Sequence, residues 1–409
     1  MTRSITVDRL SEPAGELTDV LADRLDRLRQ TNSYRAFLAA DNRADRPGYA
    51  DSPDGTLQVW CSNDYLELSQ HPAVIQSVVD ELRRQGVGSG GSRNISGTSR
   101  VHGRLEAELA RWHGMERALL FGSGYSANFE FLSSLRKALP ELVVFSDALN
   151  HRSLIEGIKR FAGPTEVFTH NSLPDLERRL ARYPHDTPKL IVAESIYSMD
   201  ADLGPVSELC DLAERYNAMT YIDETHAIGV RGPSGAGLLE ELGEHRATFV
   251  QGVLGKALGT VGGYVAGPDV SVDFVRSTAP GFIFTTALPP AVVAGTLTAL
   301  ELLQGEYGAR LRCALADRVA VLKSRLRAES LEFLDHDSHF VPVFVRGASR
   351  VQAVAAVLRA QHRIYVQPIN EPSVPAGTER FRLAVGPHRT DAEIENLVAA
   401  LAEHARPGS

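Results

Sequence analysis

The chain has 409 residues, 43% of them hydrophobic and 23% charged, as is typical of a globular protein. Its net charge of -8 gives no general attraction to nucleic acid or anionic membranes, and no apolar run reaches the roughly 18 residues that span a bilayer. The N-terminal MTRSITVDRLSEP has no apolar signal core, and Cys61, Cys210 and Cys313 fit neither a disulfide framework nor a zinc pattern. We expect a cytoplasmic protein without a metal site.

In chain order, the hydrophobic pattern predicts alternating helices and strands. Residues 16–29 have helical spacing, a polar, proline-containing stretch runs to about Gly55, and LQVWCS is typical of a strand. Apolar segments predict strands at 118–121, 143–146, 189–195 and 218–224, and amphipathic segments between them predict helices at 102–113, 153–161 and 206–216. This alternation indicates an α/β fold with a mainly parallel sheet that is covered on both faces.

The pattern changes after about residue 291. A long helical region, 291–330, is followed by FVPVFV, a helix at 350–361, YVQPI, FRLAV and a last helix at 391–404. This predicts a smaller α+β domain. We therefore expect an N-terminal helix and arm at 1–55, a large domain at 56–290 and a small C-terminal domain at 291–409.

Two segments near predicted strand ends carry residues suited to chemistry. YIDETHAIG places Asp223 and His226 where open α/β sheets bind ligands. Asp223 could be a metal ligand, a general base or the partner of a cationic ring nitrogen. QGVLGKALGTVGG surrounds Lys256 with apolar residues and glycines, and a lysine kept from water becomes a usable amine nucleophile. The alternative for Lys256 is a packed stem with its charged end in water.

Two further segments follow predicted strands. DALNHRSLIEG places His151 before a helix, where it could stack on a flat ligand, transfer protons or be an ordinary loop residue. FGSGYSANFEF has a Ser-Gly-Tyr helix start at 123–125, whose backbone N–H groups suit a phosphate. Together the four segments predict pyridoxal phosphate, which combines a phosphate, an aromatic ring with a protonatable nitrogen, and an aldehyde that reacts with lysine.

Seven segments carry a resemblance to a known family: VWCSNDYL (59–66), GSGGSRNISGT (88–98), SDALNHRSLIEGIKR (146–160), ESIYSMDADLGP (194–205), TYIDETHAIG (220–229), APGFIFTTALPPA (279–291) and YVQPIN (365–370). In this order they resemble the α-oxoamine synthases, and among these the 5-aminolevulinate synthase branch. The family consists of fold-type I pyridoxal-phosphate enzymes that join an amino acid to an acyl-CoA with loss of CO2. The resemblance extends from SYRAF (33–37) to the last predicted helix.

Carried over residue by residue, the resemblance implies a role for each cofactor-binding side chain. Lys256 would form the Schiff base with the cofactor and move the proton at the substrate's α-carbon. Asp223 would pair with the pyridinium nitrogen, and His226 would hydrogen-bond the ring's phenolic oxygen. The other implied contacts are His151 over the ring, Ser195 near the phenolic oxygen, Ser123, Gly124 and Tyr125 at the phosphate, and Thr285 and Thr286, the latter reaching the phosphate across a homodimer.

The resemblance also implies the substrates. Glycine and succinyl-CoA would condense to 5-aminolevulinate, CoA and CO2, for tetrapyrroles or for a five-membered aminohydroxycyclopentenone unit of a secondary metabolite. The glycine-rich segment 88–98 lacks the ending of a nucleotide P-loop, and the resemblance implies instead that it lies beside the distal end of the acyl-CoA. The implied substrate-binding residues are Asn63 and Arg382 at the amino acid's carboxylate, Arg35, Ser92 and Asn94 at the distal carboxylate of succinyl-CoA, and Ser146.

Four positions depart from the family pattern. Val253 stands where a phosphate-binding threonine is usual, and Ser92 stands where the aminolevulinate synthases have threonine. RLAVGPH (382–388) lacks hydroxyl residues, and Glu371 replaces a bulky apolar residue. Two alternatives for the substrates therefore remain. They are those of the 5-aminolevulinate synthase branch and those of enzymes of the 8-amino-7-oxononanoate, 2-amino-3-oxobutyrate or autoinducer type. A non-catalytic dimeric scaffold that keeps the fold is the alternative of another class.

Overall fold

A computed structural model describes residues 12–406, so the N-terminal segment discussed above lies largely outside the described residues. The helices of this part are α1 (Glu12–Gln30), α2 (Pro72–Gln85), α3 (Arg100–Trp112), α4 (Gly124–Ala138), α5 (Arg152–Lys159), α6 (Leu173–Leu180), α7 (Val206–Arg215), α8 (Leu238–Leu242), α9 (Asp269–Thr278), α10 (Pro280–Ile283), α11 (Pro290–Gln304), α12 (Glu306–Ala328), α13 (Ala348–His362) and α14 (Asp391–His404), with a 3-10 turn at Leu68–Gln70. Among them, none combines the length and apolar character needed to cross a membrane.

The strands of the same part form three sheets. They are β1 (Asp41–Asn42), β2 (Tyr49–Ser52), β3 (Gly55–Val59), β4 (Arg117–Phe121), β5 (Val143–Asp147), β6 (Thr165–Phe168), β7 (Lys189–Glu194), β8 (Met219–Asp223), β9 (Phe249–Val253), β10 (Gly263–Gly267), β11 (Phe340–Phe344), β12 (Ile364–Tyr365), β13 (Pro368–Ile369) and β14 (Arg380–Ala384).

The central sheet has seven strands in the order β4-β10-β9-β8-β7-β5-β6. All neighbours are parallel except β10, which is antiparallel to both β4 and β9. Successive residues of β8 enter different apolar clusters, Tyr221 on one face and Ile222 on the other. Both side chains are fully buried, and each such burial contributes about 1.5–3 kcal/mol. The predicted mainly parallel sheet, covered on both faces, is confirmed.

This topology decides where the polar strand ends lie. β5, β7, β8 and β9 run in parallel, so their carboxyl ends meet at one edge of the sheet. Asp147, Glu194 and Asp223 are the last residues of the first three of these strands. The helices α4 and α5 begin directly after β4 and shortly after β5. Polar side chains at the ends of three strands therefore converge with two helix starts at this edge, as open α/β sheets favour for a ligand site.

The rest of the chain forms two smaller sheets. β11, β14 and β13 are antiparallel, and β12 pairs in parallel with β3, which joins residues 364–365 to residues 58–59. The predicted helix at 291–330 is two helices, because Gly305 takes an extended conformation between α11 and α12. The polar stretch before Gly55 contains β1 and β2, which the pattern did not predict. The three-part division of the chain at residues 55 and 290 stays a prediction.

Candidate active site

Asp223 lies at the end of β8 and its carboxylate is held by two donors. Asn128 Nδ2 donates to Oδ2 at 2.8 Å, and the Thr225 amide donates to Oδ1 at 2.9 Å. The side chain is buried, so these hydrogen bonds offset part of the cost of removing a charge from water. The carboxylate is therefore fixed in one orientation at the sheet edge.

A chain of hydrogen bonds joins Asp223 to His151. Asn128 Nδ2 also donates to Ser153 Oγ at 2.9 Å, and Ser153 Oγ lies 2.7 Å from His151 Nδ1. His151 is the N-cap of α5, and its ring nitrogen accepts from the Ser153 amide. Its own backbone amide donates to Glu194 Oε1 at 2.5 Å. The first residues of α5 thus orient the ring of His151, and the end of β7 holds its backbone.

Lys256 lies in the turn between β9 and β10, close to the same carboxylates. Burial lowers the pKa of its ammonium group, and the Arg382 guanidinium lowers it further, to about 8, although Asp223 and Glu194 act in the opposite direction. An amine with this pKa has a substantial neutral fraction near neutral pH, which an ordinary lysine does not have. Lys256 is therefore suited to act as a nucleophile or a base.

His226 and Arg382 are linked through two residues of the segment after β3. The Tyr65 hydroxyl lies 2.7 Å from His226 Nδ1 and 3.1 Å from Asn63 Oδ1. Arg382 donates to Asn63 Oδ1 at 2.5 Å and to the Ser198 carbonyl at 3.2 Å. Burial lowers the pKa of His226 well below its ordinary value, and the nearby Lys256 lowers it further. His226 is therefore a neutral imidazole near neutral pH.

Two buried glutamates support the strand ends. Glu224 accepts a hydrogen bond from Ser195 Oγ at 2.5 Å and from the amides of Leu238 and Leu239. Burial raises the pKa of Glu224 to about 7, despite the hydrogen bond from Ser195. Burial also raises the pKa of Glu194 well above its ordinary value, and the nearby Asp223 adds to this. Ser195 is fully buried and donates to another side chain, so its hydroxyl is already engaged.

The start of α4 is a compact turn. Ser123 is its N-cap: Ser123 Oγ accepts from the Ser126 amide, and Ser126 Oγ accepts from the Ser123 amide, both at 3.0 Å. A Cβ atom on Gly124 would lie 2.1 Å from Val253 Cγ2, so no larger residue fits there. The first N–H groups of a helix have no intrahelical partners and attract anions. Tyr125, the next residue, is half exposed.

Five further predicted residues lie in two separate regions of the chain. Ser92 forms a β-bridge with Thr286, and the Ala287 amide donates to the Gly91 carbonyl at 3.0 Å, so the glycine-rich segment is attached to residues 285–287. Thr285 and Asn94 are exposed in the same region. Arg35 lines a separate cavity. Its described lining includes Asn63 and Arg382 but neither Ser92 nor Asn94.

Ser146 precedes the last residue of β5 and is buried. Its hydroxyl accepts from Asn150 Nδ2 at 2.9 Å and donates to the Asp147 carbonyl at 3.2 Å. Asn150 also donates to the Val192 carbonyl at 2.8 Å. In this arrangement Ser146 orients the loop before His151. Its predicted contact with substrate stays a prediction.

The site combines a carboxylate, an amine of lowered pKa and a helix start at one edge of a mainly parallel sheet. These features define a fold-type I, aminotransferase-like protein. The profile of the aminotransferase class I and II family matches residues 56–401. Over 389 residues the chain is 47% identical to 5-aminolevulinate synthase of Paracoccus denitrificans, covering 93% of this chain and 95% of that one. It is 46% identical over 383 residues to the Rhodobacter capsulatus enzyme, with coverages of 92% and 94%.

A solved serine palmitoyltransferase structure with PLP has a TM-score of 0.88 and 29% identity to this chain, and covers 96% of this chain and 98% of its own. The chain belongs to the aminotransferase class I and II family and, within it, to the α-oxoamine synthases, with the 5-aminolevulinate synthases among its relatives. The resemblance inferred from the motifs is confirmed.

The sequence did not indicate the residues that orient the site. Asn128 lies inside a helix, and Tyr221, whose hydroxyl donates to Asn128 Oδ1, lies inside an apolar strand. Tyr65 and Glu194 lie within segments noted only for their likeness to the family. Their positions carry no local chemical signal, since each acquires its role from a partner on another element. Glu194 could have been found, because it ends a buried strand as Asp223 does.

Proposed function

We propose that this protein condenses glycine with succinyl-CoA to 5-aminolevulinate, CoA and CO2, using pyridoxal phosphate. The observation that carries the proposal is the arrangement of Lys256, Asp223 and Arg382 around one sheet edge in a chain that is 47% identical over 389 residues to a 5-aminolevulinate synthase. The class of reaction follows from the amine and the carboxylate, and the substrates follow from the relatives.

The residues at this edge fit pyridoxal phosphate by the chemistry of their donors. The α4 N-terminus beside Gly124 suits the phosphate, and the fixed Asp223 carboxylate suits a protonated ring nitrogen. Among residues 12–406, no side chain or backbone group hydrogen-bonds Lys256 Nζ, so the amine is available to an aldehyde. We assign His151, His226 and Ser195 to the cofactor ring, and Ser123, Tyr125, Thr285 and Thr286 to its phosphate.

Each side chain then has a defined task. The cofactor supplies a carbonyl for the amino group and a ring that withdraws electrons from the α-carbon. Lys256 takes the proton from the α-carbon of glycine and returns a proton to that carbon after CO2 is lost. Arg382, held by Asn63 and the Ser198 carbonyl, binds the glycine carboxylate through its planar fork. Asp223 keeps the proton on the ring nitrogen.

We assign Arg35, Ser92 and Asn94 to the distal carboxylate of succinyl-CoA. Burying a carboxylate requires a cation and hydrogen-bond donors, and these three residues provide both. Arg35 shares a cavity with Arg382, whereas Ser92 is joined to Thr286 on another surface. If the site forms between two protomers, Arg35 of one protomer and Ser92 and Asn94 of its partner can contact the same carboxylate.

We propose a homodimer with shared active sites for this reason. Phe284, beside Thr285, is 85% exposed, and Phe37, near Arg35, is 97% exposed, more than expected for large apolar side chains of a monomer. Sedimentation velocity is expected to give twice the 44.5 kDa of one chain. Phe284→Glu is expected to favour the monomer and to weaken cofactor binding. A monomeric wild-type protein would contradict the proposal.

We also propose a cytoplasmic location. The unpaired thiols of the three cysteines suit it.

Product identification by mass spectrometry tests the function. The protein is incubated with glycine, alanine or serine in combination with succinyl-, acetyl- or pimeloyl-CoA, and 5-aminolevulinate is expected as the main product. Turnover of acetyl- or pimeloyl-CoA with no turnover of succinyl-CoA would overturn the substrate assignment.

Lys256→Ala is expected to abolish both turnover and the visible absorption of the lysine-bound cofactor. The exposed Lys137→Ala is the control. Absence of that absorption in the wild type would favour a non-catalytic scaffold.

A further inference from the structure

Two histidines and a glutamate meet where α13 and α14 end. His362 is the last residue of α13, and Glu403 and His404 are the last two residues of α14. The Nε2 atoms of the two histidines are 3.0 Å apart, and Glu403 Oε1 lies 3.6 Å from His404 Nε2. One ligand atom from each of the three residues lies within 4.8 Å of the other two. None of them takes part in the site described above.

These separations match those between ligands of one metal ion. Zinc binds imidazole nitrogen and carboxylate oxygen at about 2.0–2.2 Å in tetrahedral geometry, which sets neighbouring ligand atoms about 3.3 Å apart. The separations of His404 from His362 and from Glu403, 3.0 Å and 3.6 Å, lie on either side of that value. The third pair lies within 4.8 Å, so side-chain rotation is needed to bring all three atoms to one ion.

The contact between the histidines is made by their nitrogen edges. Their ring planes are inclined at 62°, with centroids 5.2 Å apart, so the rings are not stacked. A divalent ion placed between the rings can accept one lone pair from each of the two facing Nε2 atoms.

We propose that His362, Glu403 and His404 bind a divalent transition-metal ion, with Zn²⁺ as the representative, and that water completes its coordination. Imidazole and carboxylate ligands suit Zn²⁺ and its neighbours in the first transition series. The side chain of His404 is 20% exposed and that of Glu403 is 65% exposed, so an ion can enter and leave from solvent. The ion joins the ends of α13 and α14. The sequence predicts no such site, because the ligands come from two helices.

Calorimetric titration of chelator-treated holoenzyme with ZnCl2 tests the site. The wild type is expected to bind one ion per chain. His362→Asn and His404→Asn are each expected to weaken that affinity by about tenfold or more, since even loss of an outer-shell partner costs 10–100-fold. His245→Asn removes an exposed histidine elsewhere and is expected to leave the affinity unchanged. Zn²⁺ is also expected to raise the melting temperature of the wild type but not of His404→Asn.

The outcomes separate this site from other zinc-binding groups of the protein. Far-UV circular dichroism of each variant without zinc establishes that it is folded before titration. Unchanged affinity in a folded His362→Asn/His404→Asn double variant would overturn the proposal, because the ion would then be held elsewhere, for example by the cofactor phosphate or the cysteine thiols. Absence of saturable binding to the wild type would also overturn it.

Discussion

Asn128, in the interior of α4, donates a 2.8 Å hydrogen bond to Asp223 at the end of β8. The Tyr221 hydroxyl donates to Asn128 Oδ1 at 2.7 Å, so the amide nitrogen must face Asp223 and Ser153. A tyrosine of the strand thereby orients the amide, and the amide orients the carboxylate. All of these groups are buried, so each donor or acceptor left without a partner would be costly.

Asn128→Ala tests this arrangement. It leaves the Tyr221 hydroxyl without an acceptor and Asp223 with one donor fewer, so we expect the free energy of unfolding of the cofactor-free protein to fall by about 2–4 kcal/mol. We also expect about tenfold weaker binding of pyridoxal phosphate. Urea unfolding and cofactor titration measure the two effects. Tyr221→Phe is the control and should have a smaller effect on both. Loss of stability with unchanged cofactor affinity would show that Asn128 is structural only.

Val253 offers a test at the start of α4, where we expect the cofactor phosphate to bind. Its Cγ2 atom occupies the space in which a Cβ atom of Gly124 would lie, so its side chain is next to this turn. Val253→Thr replaces a methyl group by a hydroxyl at nearly constant volume. A hydrogen bond to a charged group contributes about 1.5–3 kcal/mol, so we expect the dissociation constant of pyridoxal phosphate to fall by about tenfold or more. Equilibrium dialysis measures it. Val253→Ala, which adds no hydroxyl, should not tighten binding, and equal tightening in both variants would contradict the explanation.

The sequence predicted the residues whose chemistry is visible locally. Asp223 ends an apolar strand, His226 follows it, and Lys256 is an isolated cation among glycines and apolar residues, so pattern and residue type agree. Asn128 and Tyr65 could not be predicted, because their partners come from β8, α5 and residues far along the chain. The antiparallel strand β10 was also missed, since GYVAG is short and bounded by glycines. Pairing with β4 and β9, rather than local preference, makes it a strand.

Arg382 is expected to control the proton affinity of Lys256. Burial is the larger cause of the lowered pKa of Lys256, about 8, and the Arg382 cation is the next. Arg382→Gln removes that cation, so the pKa should rise and the neutral fraction near neutral pH should fall. The rate at which pyridoxal phosphate combines with the cofactor-free protein, measured against pH by stopped-flow absorbance, should therefore have a higher midpoint. Arg359→Gln, in the same cavity, is the control. Identical midpoints in all three proteins would refute this role.

His170 joins two loops at the sheet edge. Its Nδ1 lies 2.8 Å from Asp147 and its Nε2 lies 2.7 Å from Asp202. Burial lowers the pKa of His170, but the hydrogen bonds and charges of the two aspartates outweigh it and raise the pKa from 6.5 to about 10. Near neutral pH the folded protein therefore holds a proton on His170 that the unfolded chain does not hold. The protonated ring stabilises both carboxylates and keeps residues 170 and 202 together.

The sign of the pH dependence follows from this raised pKa. The stabilisation is complete below pH 6.5, declines as pH rises, and is lost above about pH 10. We expect His170→Asn to lower the free energy of unfolding by about 2 kcal/mol at pH 6.5 and by much less at pH 10, since the pairs are partly buried and hydrogen bonds to charged groups contribute about 1.5–3 kcal/mol. Urea unfolding at both pH values measures the difference, with the exposed His245→Asn as control. An equal loss at both pH values would mean that His170 acts through packing, because a neutral ring contributes the same packing at either pH.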